Sequence, residues 1–323
     1  MQAQSKQNLI VSALTLISLG LMIAAFFMPI WWVSLTAPNY PKEAFPQGIR
    51  IHFHFNGVYN GCTVLPQSRL SKETEQRDLG DDLEHRDGGA SGAQAQQIGL
   101  DCMHEMNTIN HYVGMYPIET GAPVERPLAK FFFGFFAVML LAFVFRRKKI
   151  QLAILGMGFT AVAAWMVGDL YVVGTVRPFV ENYMAEAARF FNEPERIAHW
   201  GAILETVTGA VTAGLILIMA IMIAGVWKSR PFQLLLALVP GLLAVFFVID
   251  YAAWLWIFGH NLNAWGAFTV KPFMPTVFGE GKVAQFSTYS YPHYGYALLL
   301  AMFVLLILAT LMRRKQLREE TET

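Results

Sequence analysis

Charge, cysteine and any excess of one sign are what this 323-residue sequence has little of. Only 15% of its residues are Asp, Glu, Lys or Arg, against roughly 25% in soluble domains, so an ordinary soluble protein is excluded. Basic and acidic residues number 24 and 23. With that balance no positive field points to nucleic acid as a partner. Two cysteines exclude a disulfide-rich scaffold and any four-thiolate zinc or iron–sulfur centre. There is no C-x-x-C-H, and no histidine lies deep in an apolar run, which argues against a haem of its own. Gly279-Glu280-Gly281-Lys282 lacks the earlier glycine and the Ser/Thr of a P-loop.

What the chain does have is apolar residues, 55% of the total, with a mean hydropathy of +0.41. Six runs approach the roughly 20 residues a helix needs to cross a bilayer. They are Leu9–Val33, Phe131–Phe145, Ile150–Val176, Ala202–Trp227, Phe232–Phe258 and Tyr294–Met312. The first is too long for a signal-peptide core and has no A-x-A-like site after it, so it reads as an uncleaved anchor. The fold class expected is an all-α integral membrane bundle of six transmembrane helices, with a small extracytoplasmic α+β domain between spans 1 and 2. Arg146–Lys149, Lys228 with Arg230, and Arg313–Arg318 fall on one side if the spans alternate. The positive-inside rule makes that side cytoplasmic, with both termini there, in the cytoplasmic (inner) membrane.

Residues 1–33 are thus span 1, 34–127 the extracytoplasmic domain, and 128–323 a five-span bundle. The bundle carries an outer surface helix over 177–192, read from Val180, Tyr183, Met184, Ala187 and Phe191 at helical spacing. Its outer loop, 259–293, is rich in proline and glycine and reads as ordered and irregular. Within the extracytoplasmic domain, 66–99 has almost no apolar residues and reads as a mobile insert. Cys62 and Cys102 bracket it, which suggests a disulfide at its base.

All eight histidines fall on the outer side in this topology. Ile49, Ile51 and Phe53 alternate with Arg50, His52 and His54, a strand whose two histidines share a face about 7 Å apart. That spacing suits one metal ion, and it equally suits a solvated polar face. His104, Met106, His111 and Met115 form the densest later cluster, and imidazole with thioether is a set that suits copper, Cu(I) above all. The same methionines also read as gap-filling core. Within the spans, Asp169, Glu205 and Asp250 are costly acids at the outer ends of their helices. With His260 and His293 they would shape a cofactor pocket at the outer membrane surface; interhelical hydrogen bonding is the bland alternative.

Asn110-His111-Tyr112-Val113-Gly114-Met115-Tyr116-Pro117, Phe258-Gly259-His260-Asn261-Leu262 and the Lys271–Phe286 segment resemble a family of six-span membrane accessory proteins. Its members are associated with gene clusters for nitrous-oxide reductase, a copper enzyme. The resemblance covers the outer loops and their flanks, and the Cys-bracketed insert departs from it. It implies an accessory protein and no established reaction. The expectation is a metal site, copper as its ion, presented by His52, His54, His104, Met106, His111 and Met115. Its partners would be an extracytoplasmic redox enzyme or a copper chaperone, besides the lipid bilayer. A quinol-interacting or electron-transfer subunit using the outer-surface pocket is the competing expectation. A transporter ranks below both, since no inverted repeat is visible.

Overall fold

The structure is a computed structural model that describes residues 2–42, 45–62, 101–118, 121–267, 269–283 and 285–322. The insert over 66–99, with His85, lies outside the described residues. Among the described residues six helices are long and apolar enough to cross a membrane, as expected of a multi-pass membrane protein.

Helix α1 runs Gln2–Phe27 and ends before Pro29, whose ring restricts the residue ahead of it. The chain then turns into strand β1, Trp31–Thr36, where aromatic and β-branched residues favour extended backbone. The first run of apolar residues therefore leaves the helix six residues short of the expected end of span 1 and continues as a strand. Strands β2, Ile49–His54, and β3, Gly57–Asn60, form a hairpin. Helix α2, Cys102–Tyr112, starts on an Asp101 cap whose carboxylate accepts the Met103 and His104 N–H groups.

Span 2 is α3, Glu125–Val144, and span 3 is α4, Lys148–Val167, prolonged by a π-helical turn over Gly168–Val172. The surface helix is α5, Val176–Phe190, with Val180, Tyr183 and Ala187 on its buried face. Span 4 is α6, Pro194–Lys228. Span 5 is broken. A 3-10 turn over Pro231–Leu234 leads into α7, Leu235–Gly241, and then α8, Leu243–His260. Pro240 removes a helical N–H next to the break. Strands β4, Gly279–Val283, and β5, Phe286–Pro292, follow, and span 6 is α9, Tyr294–Glu322.

The loop over 259–293 is therefore not irregular throughout. Its second half pairs with the segment after span 1 in one antiparallel sheet of order β3-β2-β1-β5-β4. Trp32 lies opposite His52 on one side and Tyr291 on the other. Thr288 to Tyr291 alternates polar and aromatic residues, a strand signal masked by the prolines upstream. The sheet thus belongs to both the first and last loops, and β1 straddles the boundary drawn at residue 33.

One end of the bundle carries this sheet; the other carries the basic residues. At the basic end Arg313 is buried (1% exposed). Its guanidinium donates to the carbonyls of Phe143 at 3.0 Å and Val144 at 3.4 Å. These are end-of-helix acceptors that α3 cannot satisfy itself, and a cation suits the negative pole there. Ser12 also donates to Val144 O at 3.1 Å, so α1, α3 and α9 are tied at this end. At the sheet end α7 has already ended, and α8 keeps little backbone contact with α3 or α6. Side chains, not backbone, fill the space between them.

Candidate functional site

The strand alternation holds: Ile49, Ile51 and Phe53 are buried while Arg50, His52 and His54 are half-buried on the other face. The buried face packs against Cys102, Met103, Met106, Tyr251 and Leu255. Cys62 and Cys102 are joined in a disulfide, which ties the end of β3 to the start of α2. Closing a loop of sequence separation 40 stabilises by roughly 3–5 kcal/mol in the chain-entropy account.

This packing separates the six expected metal residues. His52 and His54 point away from the face that α2 covers, so Met106 lies beneath the sheet and the two histidines lie above it. His111 packs beside Phe190 and Phe191, ring centroids 5.7 and 5.2 Å away. His104 is exposed nearby, 6.4 Å from Phe190. Met115 lies past the end of α2, in a cluster with Phe191, Ile197 and Phe258. The chain leaves α2 through Gly114 at φ +79°, where a Cβ would stand 2.5 Å from the Asn263 carbonyl. That turn breaks the helical spacing of His111 and Met115. Among the described residues no three His, Cys, Asp or Glu side chains stand close enough to hold a metal ion.

His52 gains a different neighbour, His293, at 4.9 Å between ring centroids. Burial first, then the Arg50, His293 and His54 charges, push the His52 pKa down to about 4. Burial also lowers His54, against a hydrogen bond to the Phe27 backbone, and lowers His293, with Arg50 adding to it. All three imidazoles are neutral at pH 7, the form that ligates. The His52 Nε2 is buried without a hydrogen-bond partner, while the His293 Nδ1 accepts the Tyr294 N–H at 2.8 Å.

The span acids do not converge either. Asp169 pairs with Lys130 at 2.7 Å and accepts from Thr175 at 2.9 Å. Glu205 is exposed on α6. His260 is exposed, stacked 4.3 Å from Trp256, with its Nδ1 at 2.9 Å from the Trp256 carbonyl. Asp250, by contrast, lines a cavity.

That cavity, about 440 Å³, lies between α3, α6, α7 and α8 under the β2–β3 hairpin tip. Its size falls in the usual range for small-molecule sites. The walls are mainly phenylalanine, including Phe132, Phe136 and Phe246. Phe55 plugs the roof from the hairpin turn, 4.8 Å from Phe133 and 5.7 Å from Phe247. Phe247 in turn stacks parallel to Tyr251 at 6.0 Å. Polar groups gather at the sheet end. Trp254 Nε1 donates to Glu125 Oε2 at 2.8 Å, and the Asp250 and Glu125 carboxyls are hydrogen-bonded to each other. Asp250 and Trp254 share a face of α8 by their i,i+4 spacing, and Glu125 sits in the first turn of α3, the favoured end for an acid. A bond between two carboxyls needs one proton as its donor. The pair can therefore hold a proton and exchange it with a ligand hydroxyl. His54 and Arg126 complete this end.

Glu125, Arg126 and Trp254 have no part in the sequence-based site. Span 2 was expected from Phe131, which left Glu125 in the loop. The Glu125-Arg126-Pro127 order is a helix-start signal, with an acid in the first turn and an early proline, and it would have brought Glu125 into the span. Compared with known protein families, characterised proteins and solved structures, the chain matches none of them.

Proposed function

We propose that this is a membrane accessory protein that binds an isoprenoid quinol or quinone in the cavity beneath the hairpin, with the ring at the Glu125–Asp250 pair. The observation that carries the reading is the polarity of the cavity: aromatic walls along its length and two hydrogen-bonded carboxyls with an indole N–H at one end. A flat ring suits those walls, and one of its oxygens meets the proton-holding pair at the polar end. On this reading the sheet end faces the extracytoplasmic side, where a redox enzyme would be the partner. The test is quinone content and uptake in protein purified in detergent and returned to lipid discs. Glu125→Gln with Asp250→Asn should weaken uptake at least tenfold, about 1.4 kcal/mol. Absence of bound or added quinone in the wild type overturns the reading.

A second reading, copper presentation to that partner, keeps one specific observation in its favour. His52 lies against His293, with His54 on the same strand face, all as neutral imidazoles, and the His52 Nε2 is buried without a hydrogen-bond partner. Elemental analysis after Cu(I) loading tests it: His52→Ala with His54→Ala should lower bound copper at least tenfold, and equal binding defeats it.

A further inference from the structure

The cavity is not closed on all sides. Ile218 on α6 and Phe246 on α8 both line it, yet they are 48% and 41% exposed, far more than their buried neighbours Leu215 and Leu243. Side chains that face the cavity and the exterior at once mark the rim of an opening. The two helices that carry them keep little backbone contact, because the break at Leu242 ends the tightly packed part of span 5.

The depth of the rim decides what can reach it. Ile218 stands ten residues before Lys228 at the basic end of α6, about 15 Å along the helix axis. The hydrocarbon layer is about 30 Å thick, so the opening lies near its middle. At that placement the rim would face hydrocarbon and not bulk water. Phe246 precedes Asp250 by four residues, about 6 Å or one turn. A ring held at the Glu125–Asp250 pair is therefore one turn from the rim. A cavity of about 440 Å³ takes a molecule of drug size and leaves no room for a long chain beyond the ring.

We propose that the slit between α6 and α8, rimmed by Ile218 and Phe246, admits the ligand sideways from the bilayer and seats its hydrocarbon chain. The ligand class is thereby a membrane-dissolved amphiphile with a polar ring and a long chain, not a water-borne molecule. This inference rests on the cavity as the quinone site.

Both native cysteines are in the disulfide, so Ile218→Cys with Phe246→Cys supplies the only reactive thiol pair. The protein in lipid discs is bridged with bismaleimides of increasing length, and uptake of a long-chain benzoquinone and of a chainless benzoquinone is followed. The same variant labelled with a monofunctional maleimide controls for folding, since it carries both substitutions. Bridging should slow uptake of the long-chain quinone at least tenfold relative to that control. The unbridged protein should also bind the long-chain form at least tenfold more tightly than the chainless one. Unchanged uptake on bridging, or equal affinity for the two quinones, overturns the slit while leaving the cavity reading standing. Uptake of neither quinone by the unbridged protein overturns both.

Discussion

His52 shows how far a residue's chemistry depends on its neighbours. In the sequence it is half of an H-x-H pair; in the fold it lies against His293, with Arg50 and His54 on the same face. Burial and those charges hold it neutral, with a pKa of about 4 against about 6.5 in the unfolded chain. Between those values the unfolded state binds more protons. The stability His52 contributes is then complete above pH 6.5 and is lost as pH falls toward 4. His54 and His293 titrate in the same direction. Thermal melts in detergent should show the midpoint falling from pH 7 to pH 4.5, with a smaller fall in His52→Gln. An identical pH profile in that variant would remove His52 from the account. The acids carry the same lesson. Asp250 was legible as a costly residue in a span, but its partner Glu125 is distant in sequence, and no local pattern ties the two together.

The β2–β3 hairpin is the element that joins the sheet to the bundle. Its alternation was legible from Ile49 to His54, because period-two burial is written directly in the residues. The register pairs His54 with Gly57, so Phe55 and Asn56 form the turn. Phe55 consequently leaves the strand face and enters the cavity roof. Phe55→Ala should cost about 2 kcal/mol, less than the roughly 3–5 kcal/mol of a fully buried phenylalanine because Phe55 is half-buried. It should also enlarge the cavity and loosen ligand retention. Denaturation midpoints and quinone off-rates read the two effects, and a variant with wild-type values for both would show that the turn does not close the site. Span 5 is the contrasting element. Its apolar run predicts one continuous helix over Phe232–Phe258, and only Pro240 hints at the break that separates α7 from α8.

At the scale of the molecule, the two ends differ in chemistry. Arg313 capping α3 places the C-terminal ends of spans 2 and 6 together, and the sheet takes the opposite end. With the basic end inside, a thiol at Ser229, between spans 4 and 5, should react with an impermeant maleimide only after the cells are permeabilised. One at Glu280, exposed on β4, should react in intact cells. With no free native cysteine each signal belongs to the introduced thiol. The reverse pattern would invert the protein and move the cavity's polar end to the cytoplasmic side.

Hydropathy alone determined the six spans, since a bilayer demands a fixed length of apolar helix and the chain contains six such lengths. Residue order alone also determined the amphipathic helix at 176–190 and the strand at β2, whose periods of 3.6 and 2 need no tertiary information. The Cys62–Cys102 bridge was legible because the sequence offers those two thiols and no others. What only the tertiary structure decided is which distant residues meet. β1 pairs with β5 across more than 250 residues of chain, Glu125 meets Asp250 and Trp254, and His52 meets His293 rather than His104. Each of these contacts depends on how separate elements pack in space, and residues that meet only through packing share no spacing in the sequence.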